Sequence, residues 1–308
     1  MLLKLVPQLS KPLATMIGLT AVLFWSSNVG LIRTVTADFG AIGGSALIYT
    51  VATIILFFTI GLPKLSLIPK SYLVWGSVLF VGCEVCFSLS IGFAQNSRQA
   101  IEVAMVNYLW PTFTLIFAII FNKMKSNFLI VPGFILALVG IVWVLSGGQG
   151  GVNAAQMSQN IYSNPLSYGL ALTAALSWAA YCSYTVKKAN GANLVTFFFA
   201  LSALVLWLKF MWMDSQALEF NLQNVMTLAA SAAALGLGYG VWNIGIVYGH
   251  MNILAGASYF TPVLSAFFAA MILNTSLSMA FWQGVVMVTV GAILCWISTH
   301  QRAASASA

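Results

Sequence analysis

The residues with the most chemical capacity are rings, amides and one carboxyl set inside apolar runs. Asn107-Tyr108-Leu109-Trp110-Pro111 lies within such a run, and Asn107, Trp110 and Pro111 are spaced i, i+3, i+4 on one helical face. Trp25 and Asn28 stand three apart, as do Trp178 and Tyr181, while Tyr239, Trp242 and Asn243 share a face further on. Glu84 groups with Phe87 and Ser88 in the same way. Rings can stack a flat cargo and attract an ammonium group, and the amides and carboxyl can hydrogen-bond its polar end. Such a set is suited to binding rather than bond-breaking.

Signals for catalysis are lacking. Two histidines and four cysteines have no metal-ligand spacing, and no segment resembles a phosphate loop or a serine hydrolase elbow. Cys83-Glu84-Val85-Cys86 has the spacing of a redox motif, but that chemistry needs a helix start beside a sheet and an exposed thiolate, so packing is expected. Lys209 could suggest a retinal Schiff base, yet its place near a helix end favours snorkelling. No enzyme, cofactor or metal is expected.

The elements that must position these groups follow from composition. Of 308 residues 61% are hydrophobic and only 6% charged, against about 25% charged in soluble domains. Apolar runs near spanning length recur at roughly 13–35, 41–60, 72–94, 100–121 and 128–146, then at 167–187, 193–212, 223–249, 252–273 and 278–299. Alternating ten-residue barrel strands are absent. The fold class is therefore all-α and integral to the membrane, with ten transmembrane helices. Residues 1–147 and 167–308 form two five-helix units, and 148–166 is the polar linker between them. Trp75, Trp207, Trp212 and Trp282 fall near span ends and read as interfacial anchors. Asp38, Glu102, Asp214 and Glu219 read as solvated residues in or beside loops. Gly236, Gly238, Gly240 and Gly245 lower helix propensity in the eighth span, for close packing or bending.

The net charge of +7 would suggest nucleic acid in a soluble protein, but here it sits between spans. Lys4, Lys11, Lys64, Lys70, Lys123, Lys125, Lys187, Lys188 and Arg302 fall on one side, and only Arg33, Arg98 and Lys209 on the other. The positive-inside rule then puts both termini in the cytoplasm.

An internal repeat organises the rest. At an offset of 151, Ala104, Tyr108 and Pro111 meet Ala255, Tyr259 and Pro262, Gly133 meets Gly284, and Gly140 meets Gly291. At 153, Pro12 meets Pro165 and Trp25 meets Trp178. Five spans per unit is odd, so the second unit lies inverted relative to the first, with a substrate site between them near the midplane. Pro111 and Pro262 then mark a duplicated kink or gate, and a kink braced by neighbouring helices is the plainer alternative. Asn107 and Trp110 become Ser258 and Thr261 in the second copy, so the first copy is expected to grip the cargo and the second to give shape.

Phe24-Trp25-Ser26-Ser27, Gln99-Ala100-Ile101-Glu102-Val103, Trp178-Ala179-Ala180-Tyr181-Cys182 and Ser258-Tyr259-Phe260-Thr261-Pro262 together resemble the tandem EamA modules of the drug/metabolite transporter superfamily. More narrowly the chain resembles YddG-type aromatic amino acid exporters of bacterial inner membranes. That resemblance implies a basket of inverted repeats around a central cavity, export of phenylalanine, tyrosine, tryptophan or similar molecules by alternating access, and Tyr108, Trp110 and Trp178 as cavity lining. Trp25, Asn28, Glu84, Phe87, Asn107, Tyr181, Tyr239, Trp242, Asn243 and Tyr259 complete the candidate substrate-binding set. Expected partners are the small-molecule cargo and the lipid bilayer, with no nucleic acid, and the working unit is read as a monomer. The rival readings are a broad efflux carrier of apolar amines or flat cations, and a membrane subunit that transports nothing.

Overall fold

The computed structural model describes residues 10–146, 153–189, 192–213 and 217–304. Lys4, the run Gly147-Gly148-Gln149-Gly150-Gly151, Asp214 and the tail after 304 lie outside the described residues, as does the side chain of Arg302. Thirteen α-helices and one short 3-10 turn account for the described elements, with no strand among them. The helices are α1 (Lys11–Phe39), α2 (Ala41–Thr59), α3 (Lys70–Gly92), α4 (Ser97–Asn107), α5 (Trp110–Asn122), α6 (Ile130–Leu145) and α7 (Ala154–Ser163). They continue as α8 (Pro165–Lys188), α9 (Val195–Met213), α10 (Leu222–Tyr248), α11 (Met251–Ser258), α12 (Thr261–Ile272) and α13 (Met279–Ala304). Seven segments are long and apolar enough to cross a membrane, namely those of α1, α2, α3, α4 with α5, α9, α10 and α13. The protein is a multi-pass membrane protein.

Local sequence explains where helices start. Pro12, Pro111, Pro165 and Pro262 all occupy the first turn of a helix, where the missing N–H has no partner to lose. Asn96, Asn153, Asn164 and Asn221 cap the helices that follow them, and Asn221 with Asn224 forms a reciprocal capping box.

These starts correct two expectations. The runs 100–121 and 252–273 are not single kinked helices: each breaks, at Tyr108-Leu109 and at Tyr259-Phe260, and a new helix begins at the residue before the proline. Asn107 therefore ends α4 while Trp110 opens α5, and the single face expected for Asn107, Trp110 and Pro111 is lost. The linker 148–166 also contains structure, because α7 forms with Met157 and Ile161 packed on the core.

The packing between early and late helices is reciprocal. α1 lies against α10 and α12, α3 and α5 lie against α8, α2 lies against α9, and α6 lies against α13. Glycines permit the tightest crossings. A Cβ at Gly291 would come within 2.6 Å of the Gly133 carbonyl oxygen, and one at Gly140 within 2.8 Å of the Gly284 carbonyl oxygen. The later glycine thus meets the earlier partner, so α6 and α13 run in opposite directions. α10 remains one helix despite its glycines: Gly245 touches Gly18, and Gly238 makes room for the Trp25 ring.

Because backbone rather than a flexible side chain blocks these positions, Gly291→Leu is expected to destabilise by about 1–3 kcal/mol or more. Thermal unfolding of detergent-purified protein measures this, and an unchanged midpoint would contradict the close crossing.

Candidate transport site

The site is built around Glu84, in the middle of α3 and 6% exposed. A carboxyl there, with apolar helices on every side, demands donors. Two phenols supply them. The Tyr49 hydroxyl from α2 donates to Oε2 at 2.7 Å and lies 3.1 Å from the Glu84 carbonyl oxygen. The Tyr239 hydroxyl from α10 donates to Oε1 at 2.8 Å.

Rings extend outward from this pair of contacts. Trp25 meets Tyr239 edge-on at 5.3 Å between centroids and Trp242 at 4.9 Å. Phe199 joins Tyr49 to Tyr239 at 5.3 and 5.1 Å. On the other flank Phe80 lies 6.0 Å from Tyr239, 6.0 Å from Trp178 and 5.1 Å from Tyr181. Trp178 contacts Tyr181 at 5.5 Å and meets Trp110 edge-on at 6.1 Å. A continuous aromatic path therefore runs from Trp242 to Trp110 past the carboxyl. Rings expected to line an open central cavity instead touch one another in this conformation.

Not every candidate joins that path. Asn28, one turn from Trp25, is buried on α1, and Asn107 is buried at the end of α4. The Oδ1 atoms of both, and Nε1 of Trp25, have no hydrogen-bond partner within the protein. Tyr108 is buried at the break, and Phe87 and Asn243 are half-buried. Tyr259 goes elsewhere: its ring is 6.0 Å from Trp296, in a separate cluster with Leu115, Ala292 and Cys295. Pro111 and Pro262 are buried at their helix starts.

Two sequence readings change. Glu102 is not solvated: it is 5% exposed and accepts from Arg98 Nε at 3.2 Å and from the Tyr168 hydroxyl at 3.2 Å. Trp207 is tied to α2, because its indole N–H donates to Thr50 Oγ1 at 2.9 Å. Sequence reasoning also missed Tyr49, Phe80 and Phe199, although a tyrosine inside the apolar run 41–60 was a visible signal. The cysteines are free, and Cys83 and Cys86 sit within α3, away from any helix start.

This combination of spanning helices, broken helices and an internal ring-and-carboxyl core is that of a membrane transporter. The EamA-like transporter family model matches residues 165–297. The chain is 49% identical over 289 residues to the aromatic amino acid exporter YddG of Salmonella typhimurium (strain 14028s / SGSC 2262), covering 94% of this chain and 98% of that one. It is 48% identical over 288 residues to the exporter of the same name from Escherichia coli (strain K12), with the same coverage, 94% and 98%. A third exporter of that name, from Ancylobacter novellus, is 25% identical over 264 residues, covering 83% of this chain and 88% of its own. One crystal structure shares the fold at a TM-score of 0.65 and 21% identity, over 95% of this chain and 99% of that one. The chain belongs to the YddG family of exporters.

Tyr49→Phe removes a buried donor from Glu84 and keeps the ring, so it is expected to cost about 1–3 kcal/mol of stability. A thermal midpoint equal to wild type would show that the phenol does not hold the carboxyl.

Proposed function

We propose that this protein exports aromatic amino acids and similar small molecules across the bacterial inner membrane by alternating access. The observation that carries the reading is the chain of rings around Glu84, in a sequence about half identical to named aromatic amino acid exporters. Its rings offer an aromatic cargo contacts worth about 0.5–1.5 kcal/mol each. Glu84, Asn28 and Asn107 offer acceptors for an ammonium group. Weak, distributed contacts suit a carrier, which must also release what it binds.

The reading extends to topology. Ten spans arise if α6, α8 and the pair α11 with α12 cross alongside the seven long apolar segments. Residues 1–147 and 167–308 then form inverted repeats with 148–166 between them, and both termini are cytoplasmic. Two things support the inversion. Exchanging the proposed repeats maps α1 with α10 onto α3 with α8 and α1 with α12 onto α5 with α8, while α2 with α9 and α6 with α13 map onto themselves. The glycines of α6 and α13 cross as a two-fold axis in the membrane plane requires, each meeting the other's displaced copy. In this scheme Trp25 and Trp178 are copies on opposite flanks of Glu84, and Trp110 carries the grip that its counterpart Thr261 lacks.

Trp110→Ala, reconstituted at wild-type level, is expected to weaken half-saturation for labelled L-phenylalanine efflux roughly three- to tenfold. Rate and half-saturation equal to wild type would remove Trp110 from the binding site.

A further inference from the structure

A second polar group lies apart from the aromatic path. A cavity of about 330 Å³ is lined by Gln95, Arg98, Gln99, Glu102, Asn160 and Tyr168, together with Asn96, Gln156 and Ser163. Every lining side chain carries a hydrogen-bonding group, and Tyr168 alone among them brings a ring. Gln99, Glu102 and Tyr168 are buried, so the cavity has a fixed polar floor rather than a solvated rim alone. That floor is pre-organised. The Gln99 side-chain oxygen accepts from the Gln95 backbone N–H and from Asn164 Nδ2, at 2.8 and 2.9 Å, and its amide donates to Ser163 Oγ at 3.2 Å.

The charges select the ligand class. Arg98 and Glu102 bring one cation and one anion to the same wall, 3.2 Å apart, so the lining neither gathers anions nor gathers cations. Such a pair is matched by a molecule carrying both signs on adjacent atoms: a carboxylate for the guanidinium fork and an ammonium for the carboxylate. Among the described residues no group of three metal-ligating side chains exists, and a ring-only cargo would leave this lining unsatisfied.

The pair is not part of the repeated sequence plan. At the repeat offsets Arg98, Gln99 and Glu102 correspond to Gly249, His250 and Ile253, and Tyr168 corresponds to Thr15. Backbone contact replaces the pair there: the His250 backbone N–H donates to Thr15 Oγ1 at 2.8 Å, and a Cβ at Gly249 would lie 2.9 Å from the same oxygen. At that end Gly249 and Thr15 pack closely, whereas the other end retains a charged, open cavity.

We infer that the Arg98–Glu102 cavity is a second binding site, taking the zwitterionic headgroup of an α-amino acid as a waypoint distinct from the aromatic core. Ten residues of unbroken α8 separate Tyr168 from Trp178, about 15 Å at the helical rise, so one amino acid cannot fill both places. The assignment of the waypoint to the route of an exported amino acid rests on the proposed export function, under which the cavity faces away from the cytoplasm. The headgroup chemistry itself does not rest on it.

Glycine, a zwitterion without a ring, is the probe. Purified, reconstituted full-length protein is expected to bind labelled glycine saturably, with displacement by L-phenylalanine and not by equal concentrations of acetate or methylamine. Arg98→Gln and Glu102→Gln are each expected to weaken glycine binding roughly tenfold or more. Gln156→Ala, which keeps the ion pair and gives up only the side-chain bond to Asn160, is expected to weaken it by a smaller factor, and it serves if the charge variants do not fold. Absence of saturable glycine binding in protein that transports L-phenylalanine would overturn the site, as would binding unchanged in the variants. Glycine binding that the variants weaken, in protein that moves no aromatic amino acid, would leave the site standing and sink the export reading.

Discussion

A carboxyl buried among apolar helices must be satisfied by the protein, and Glu84 is satisfied by phenols from two different helices. This requirement fixes much else. Tyr49 and Tyr239 must point inward, so α2 and α10 must present those faces to α3. Their rings then need neighbours, which Phe199, Phe80 and Trp25 provide. Gly238 is the matching concession on α10, since any side chain there would meet the Trp25 indole. One polar group thus dictates a set of apolar contacts around it.

Two kinds of polarity result, and they are kept apart. Around Glu84 the hydrogen-bonding groups are few and the rings many. Around Glu102 the lining has one ring, Tyr168, and amide side chains, two hydroxyls and a guanidinium share the wall. The first environment favours a flat apolar body, whereas the second favours a charged head. On the proposed reading, a molecule with both parts would meet each environment for a different reason, and neither need hold it tightly.

Much of this was legible in the sequence because hydrophobic runs and prolines act locally. The seven long apolar segments, the grouping of Trp178 with Tyr181, and Glu84 as a buried carboxylate follow from spacing and burial cost. What escaped reading depends on distant chain segments. Tyr49 became a partner of Glu84 only through the packing of α2 on α3, and Glu102 was buried by Tyr168, 66 residues away. The helix breaks were misread as kinks because a proline has two local solutions, and only the packing of α5 and α12 selects a fresh helix start. Tyr259 shares a repeat position with Tyr108 yet packs on Trp296, since duplication preserves position and not neighbours.

The broken helices have a further consequence. Where α4 stops and α5 starts, the carbonyls of Ala104, Met105 and Val106 accept from the N–H groups of Tyr108 and Leu109, so main-chain dipoles of two helix ends meet at a buried break. The polarity there belongs to the main chain, so replacing side chains leaves it in place. An alanine scan is therefore blind to it.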